Sequence, residues 1–330
     1  MQLLRASSPT ARARLFALPL ACVPALAVLL VAGDAGAFCR TRTCQLYEKD
    51  VPCPRDEVTG CYTNGVPVFW GDDCISYAIQ RDGSIAQGIT AAQIAPLVAD
   101  AFRTWSEVAC PSGGTPPLTA SSQGTIACAA TEYNCQVPEA NSNLIVFKDD
   151  FVDTLAFHFG TIALTIITAS KSTGRIYDAD IEINSRDEDF LLGPVPAGSD
   201  ARDLRGVLNH EVGHLLGLSH PYVRGALMYD SYEGTVLPAA DDIAGICEIR
   251  AGSRSDPECS VTALPPDAGC LGSDTSCRNP PMMQMEQPQQ SASCDCELVG
   301  PADTAAPLAP ARAWAWLSGL ALACWLRRHR

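Results

Sequence analysis

Histidine is scarce in this chain, five among 330 residues, so chemistry that needs several imidazoles has few places to occur. Basic charge is in deficit too: 23 Lys and Arg against 37 Asp and Glu give a formal charge of −14. A chain this acidic repels a phosphate backbone, which excludes nucleic acid as a partner. Among its 16 cysteines there is no pair of CxxC motifs, which argues against zinc knuckles. No internal repeat is present, so solenoids and propellers are excluded as well. Toward the C-terminus the apolar run is short. The 14 apolar or small residues from Ala313 to Leu326 span roughly 21 Å as a helix, against a hydrocarbon core of ~30 Å.

The two ends differ from ordinary globular sequence. Arg5, Arg12 and Arg14 precede LFALPLACVPALAVLLVAG, which leads to Ala35-Gly36-Ala37. That is the layout of a secretory leader cleaved after Ala37. The alternative is a lipoprotein leader with Cys22 after LPLA, which Pro19 and the mid-run place of Cys22 suit poorly. At the other end Trp314, Trp316 and Trp325 suit a membrane interface, and Arg327, Arg328 and Arg330 suit retention on the cytoplasmic side. Setting aside Cys22 and Cys324 in the apolar ends leaves 14 exported cysteines, an even number read as disulfides. Removing the leader (net +2) and residues 307–330 (net +4) from −14 leaves about −20 on the exported part. The segments are then a leader at 1–37, a cysteine-rich extension at 38–70, a domain at 71–250, a Pro/Ser/Cys-rich stalk at 251–306 and the C-terminal segment 307–330. The stalk is expected to be pinned in part by Cys259, Cys270 and Cys277.

Within the domain CISYAI (74–79) alternates as a strand. TAAQIAPLVADAFRTWSEVA (90–109) carries Ile94, Leu97, Val98, Ala101, Phe102 and Trp105 at helical spacing, with Thr90 as N-cap. NLIVFK (143–148) and IALTIITA (162–169) are strands by their β-branched content. A turn at KSTGR leads into IYDADIEIN, where Asp178, Asp180, Glu182 and Asn184 share one face. DARDLRGVLNHEVGHLLG (200–217) reads as a long helix closed by Gly217. Strands followed by hairpin-like links and two long helices predict an α+β fold, a mixed sheet packed on helices.

Three of the five histidines fall between 210 and 220. His210 and His214 are four apart on the predicted helix, so both imidazoles lie on one face and can bite one metal ion. Glu211 is one position further round, within reach of a water there without ligating. Gly217 lets the chain turn back, because a residue without Cβ enters the left-handed region cheaply, and His220 can supply a third nitrogen. Three nitrogen ligands with a fourth position left for water mark a catalytic zinc. Glu211 is then the general base. His158, in AFHFG, is read as structural.

HEVGHLLGLSH followed by ALMYDSY resembles the metzincin metalloproteases, and more narrowly the matrixins. The resemblance spans about residues 66–250 and implies a metzincin-like catalytic domain: a mixed twisted sheet with one antiparallel edge strand, packed on two long helices, with zinc in the cleft. It implies that Met228, eight residues past His220, forms a hydrophobic floor under the metal, and that Tyr232 walls the primed-side specificity pocket. ADDIAGICEI (240–249) resembles the closing helix of the family, and TGRIYDADIEIN its edge strand along the substrate cleft. Pro221 and Asp230 depart from the matrixin pattern, and no PRCGxPD latency motif is visible; CPRDEVTGC (53–61) has similar residue types in another order. A second, structural zinc is not expected, because within the domain only His158 remains to ligate it. Calcium is possible at Asp178, Asp180, Asp187, Glu188 or Asp189, although a solvated strand face is the plainer expectation. The tail, preceded by Cys294-Asp295-Cys296, resembles the C-terminal sorting signals of myxobacterial surface proteins. That implies membrane contact through this segment and a place at the cell envelope or outside the cell. The expected protein is an exported, monomeric zinc endopeptidase acting on proteins or peptides. Two alternatives are a catalytically silent surface protein and a zinc amidase on cell-wall peptides.

Overall fold

Strand and helix signals along the chain become a sheet with helices on one face. The computed structural model describes residues 38–47, 52–150, 160–251, 259 and 261–274, and the backbone of 283–286. The leader, the C-terminal segment, His158, Cys277 and Cys294–Cys296 lie outside the described residues. Among the described residues no helix is long and apolar enough to cross a membrane.

In chain order the elements are β1 (Cys39–Arg40), α1 (Thr43–Tyr47), β2 (Phe69–Trp70), β3 (Cys74–Gln80), α2 (Ala91–Ser106), β4 (Thr119–Ile126), β5 (Asn143–Phe147), β6 (Ala163–Ala169), β7 (Arg175–Ile183), β8 (Phe190–Leu191), β9 (Arg202–Asp203), α3 (Leu204–Leu215), β10 (Leu218–Ser219), α4 (Ala240–Ile249) and β11 (Met283–Glu286). The main sheet runs β11-β6-β7-β5-β3-β4, with β2 beside one end of β7. β3, β4, β5 and β7 are parallel; β6 runs antiparallel to β7, and β11 antiparallel to β6. This corrects one expectation. TGRIYDADIEIN is not an edge: β7 lies between β5 and β6, and β6 is the antiparallel strand toward the rim. The edge position is implied by the resemblance alone; β7 has a hydrogen-bonded neighbour on each side.

Helices α2 and α3 cover one face. α2 starts in a reciprocal cap: the Thr90 hydroxyl accepts from Gln93 N and the Gln93 side chain accepts from Thr90 N. Its apolar stripe, Ile94, Val98, Phe102 and Trp105, packs with Val207, Leu208 and Val212 of α3 and with Ile79, Ile145, Ile181 and Ile183 of the sheet. Trp105 Nε1 donates to Asn209 O across the two helices at 2.8 Å.

On the opposite face the row Asp178, Asp180, Glu182 and Asn184 is buried rather than solvated. The expectation of an exposed carboxylate face fails because the chain after β4 and the segment 261–274 close over it. Asp180 accepts from the backbone N–H of Leu144 and of Glu132 (2.7 and 3.0 Å), and Glu182 pairs with Lys148 at 3.1 Å. Burial first, then neighbouring like charge, lifts Asp178 and Asp180 well above the usual carboxylate range. The segment 261–274 belongs to the predicted stalk, yet Cys74–Cys259 and Cys128–Cys270 fasten this part of the chain to the domain. Cys110–Cys247 ties the loop after α2 to α4, and Cys39–Cys61 and Cys44–Cys53 close the N-terminal extension.

Candidate metal centre

α3 is buried on nearly every side, so its register is fixed all round. Its start is capped by Asp203, whose side chain accepts from Arg205 N at 3.0 Å, and Tyr232 Oη accepts from Asp203 N at 2.9 Å. His210, Glu211 and His214 therefore leave the helix at defined heights. Leu216 caps the helix, and Gly217 follows at φ +102°, donating back to His214 O at 2.8 Å. A Cβ there would stand 3.2 Å from Val68 O, so both backbone and space favour glycine.

The returning chain is β10, which pairs with β1 of the N-terminal extension, Cys39 opposite Ser219 and Arg40 opposite Leu218. Thr41 N donates to Gly217 O at 2.9 Å, and Thr41 Oγ1 donates to Leu218 O at 2.8 Å. His220 then meets the other two. The Nε2 atoms lie 3.0 Å (His210–His214), 3.1 Å (His210–His220) and 2.9 Å (His214–His220) apart. His210 Nδ1 is 2.6 Å from Leu227 O, and His214 Nδ1 is 3.0 Å from Leu218 O. A carbonyl only accepts, so each Nδ1 carries the proton and each facing Nε2 presents a lone pair.

Two lone pairs 3.0 Å apart make no hydrogen bond. Protonating one would relieve them, but burial opposes the charge: it holds His214 down to about 4, and His210 and His220 well below the usual imidazole value. A cation resolves the conflict. Zinc–nitrogen bonds of ~2.0–2.1 Å at tetrahedral angles separate ligand nitrogens by ~3.3 Å, near the spacing found. The residues present fit zinc.

Around this cluster the structure gives three further residues a part. Thr165 of β6 donates to Glu211 Oε2 at 2.5 Å, so the sheet rim holds the carboxylate. Its only sequence signal was a hydroxyl, one of two in a largely aliphatic strand. Asp242 accepts from Leu227 N, Met228 N and Ala239 N at 2.7, 3.0 and 2.7 Å, which fixes the Met228 turn from α4. Gly213 is the third: a Cβ on it would collide with Met228 Sδ and approach Trp105 within 2.8 Å. Met228 thus packs against the α3 backbone between His210 and His214. Tyr232, Tyr229, Leu227 and His210 line a narrow pocket of about 10 Å³, room for roughly one water.

The five candidate calcium ligands form no side-chain cluster of three among the described residues. Asp187 pairs with Arg186 at 2.7 Å, Glu188 with Arg202 at 2.9 Å, and Asp180 is taken up by backbone donors. No three of them converge: among the described residues the donor clusters of metal-binding compactness are the three histidines and Cys128, Glu132 and Cys270. The second cannot ligate through thiolates, because Cys128 and Cys270 share a disulfide.

Comparison with known proteins agrees with this geometry. The chain is 27% identical over 191 residues to Metalloendoproteinase 1-MMP of Arabidopsis thaliana, which covers 57% of this chain and 46% of that protein. It is 33% identical over 100 residues to Metalloendoproteinase 5-MMP of the same plant, covering 28% and 27%. The chain thus spans less than half the length of either relative. The family described as Matrixin matches residues 69–251, from β2 through the end of α4, and the chain belongs to the matrixin family.

Proposed function

We propose that the protein is a zinc-dependent endopeptidase, exported and either held at the cell surface or released. The observation that carries this reading is the trio of buried imidazole nitrogens 2.9–3.1 Å apart, two of them fixed as acceptors. His210, His214 and His220 would hold the zinc. When bound, zinc supplies a Lewis acid that polarises a carbonyl and acidifies water. Glu211 accepts the proton of the attacking water on its carboxylate and returns it to the leaving amine. The Thr165 hydroxyl fixes that carboxylate from one side. Met228 keeps the floor apolar, and Tyr232 walls a narrow pocket with room for roughly one water. An extended peptide would add antiparallel to the rim of the sheet at β6, by backbone pairing. The printed names of the plant relatives, both metalloendoproteinases, support the same activity.

Digestion of casein or gelatin by the purified, zinc-loaded protein tests this, with Glu211→Gln as control. Activity is expected to drop by about 10²–10⁴-fold in the control, with one zinc per chain in both. Proteolysis that survives the substitution removes Glu211 from its role. Zinc binding with no hydrolysis at all would favour the silent surface protein, and cleavage confined to cell-wall peptides the amidase.

A further inference from the structure

The rim of a sheet is where an extended peptide adds, because its backbone N–H and C=O groups have no neighbour. In the order β11-β6-β7-β5-β3-β4 the rim at β6 is already taken. β11 pairs with it antiparallel: Met283 opposite Ile167, Gln284 opposite Ile166, Met285 opposite Thr165 and Glu286 opposite Leu164. Thr165 is the residue whose hydroxyl holds Glu211, so the pairing runs past the candidate site itself. β11 also lies against α1, which in turn lies against β6. The segment therefore runs in a groove between the sheet rim and the N-terminal extension. Cys270, bonded to Cys128 on the domain, tethers the chain a short way before Met283.

We infer that residues 283–286 are a built-in occupant of the substrate groove, a strand of the chain's own C-terminal region that competes with extended peptides for β6. The inhibitory meaning rests on the peptidase reading above; the occupancy does not. Antiparallel pairing gives β11 the direction assigned to a substrate, and the ladder uses backbone groups that any peptide carries. Tethering makes the competition intramolecular, with an effective concentration on the order of millimolar for a short connection. Four residues form a short ladder, so a longer peptide or loss of the tether displaces it. This supplies a form of latency in a chain that shows no PRCGxPD motif.

Two double variants test it, Met283→Pro/Met285→Pro and Gln284→Pro/Glu286→Pro. Alternate residues of a strand direct N–H toward a given neighbour, so one of the two removes the donors facing β6. Both are made in the full exported, zinc-loaded chain carrying Glu211→Gln, so turnover plays no part. Two quantities are read: hydrogen exchange of the β6 amides from Leu164 to Ile167, and binding of a fluorescent peptide hydroxamate. A groove occupied about nine-tenths of the time weakens a competing peptide about tenfold. At least one variant is expected to lose protection in β6 and bind the peptide about tenfold more tightly, with zinc content unchanged. With Glu211 restored, kcat/KM on a peptide should rise by the same factor. Unchanged protection and affinity in both variants overturn the inference, and so does lost protection with unchanged affinity. Tighter binding without hydrolysis leaves the occupant standing and removes the peptidase reading instead.

Discussion

Replacing Gly213 by alanine pits two physical effects against each other at one atom. Gly213 lies inside α3, where alanine is preferred over glycine by about 1 kcal/mol. Propensity alone therefore predicts a more stable protein. The added Cβ, however, would meet Met228 Sδ inside contact distance, Met228 Cε at 3.1 Å and Trp105 Cζ2 at 2.8 Å. Trp105 has nowhere to go: it is fully buried and its indole N–H is committed to Asn209 O. The Met228 thioether is the softer partner, but its backbone is held by Asp242. Overpacking against two such neighbours costs about 3 kcal/mol, the upper end of its usual range. The net loss is then about 2 kcal/mol, or about 4–8 °C in Tm for a domain of this size. Because Met228 packs between His210 and His214, its displacement should also weaken zinc about tenfold, as removing outer support of a metal ligand does. Thermal unfolding of the chelated protein measures the first effect, and competition with a chromophoric chelator the second. Met228→Ala should cost less in the Gly213→Ala background than alone, a coupling of more than about 1 kcal/mol between contacting residues. A Gly213→Ala protein that melts higher and binds zinc as before would refute the packing argument.

Thr165→Val removes the hydroxyl that holds Glu211, a charge-assisted bond of the kind worth about 1.5–3 kcal/mol. Peptide hydrolysis should fall by tenfold or more with zinc content unchanged, and undiminished kcat/KM would dismiss the role given to Thr165. Both carboxylate oxygens of Asp241 are buried with no hydrogen-bond partner among the described residues, and burial together with Asp242 lifts its carboxyl to about 6. The folded state then holds this proton longer than the unfolded state, so stability falls as pH rises from about 4 to about 6. The full shift corresponds to ~3 kcal/mol, which relaxation around the buried carboxylate reduces to about 1–2 kcal/mol. Asp241→Asn should therefore stabilise the protein by that amount at pH 7 and flatten its denaturant midpoint between pH 4 and 6; an unchanged slope would contradict the assignment. Cys39→Ser/Cys61→Ser releases β1 from the extension and should lower zinc affinity while far-UV circular dichroism shows the helices intact. Equal affinity would show that β1 does not support the third histidine.

Much of the centre could be read from spacing alone, and the reason is local. His210, Glu211 and His214 sit on one helix, whose geometry converts sequence distance into spatial distance without help from the rest of the fold. Gly217 was legible for a similar reason, since a helix end needs a residue tolerant of positive φ. Thr165 and Asp242 were harder to see: each contacts the centre from another element, and a single hydroxyl or carboxylate carries no period. β4 escaped notice because TASSQGTI is polar and Gly124 interrupts it; as the outer neighbour of β3 it needs little apolar pattern to pair. The carboxylates of β7 misled for the opposite reason. Their alternation correctly separated two faces, but what covers a face is decided by segments far away in sequence, here 128–142 and 261–274.

The third histidine shows how local and distant information combine. Nothing in α3 can place His220, because the helix has already ended. Its position depends on Gly217 turning the chain, on β1 pairing with β10 and on Thr41, which bonds the same Leu218 carbonyl that orients His214. Arg55 of the extension adds a hydrogen bond to His220 O at 3.5 Å and stacks on Tyr222. The cysteine-rich extension, outside the family match at 69–251, is thus part of the scaffold of the centre. Here the disulfides Cys74–Cys259, Cys110–Cys247 and Cys128–Cys270 join residues 185, 137 and 142 apart, the long closures that stabilise most in the chain-entropy account. Such closures suit a protein that matures where disulfides form.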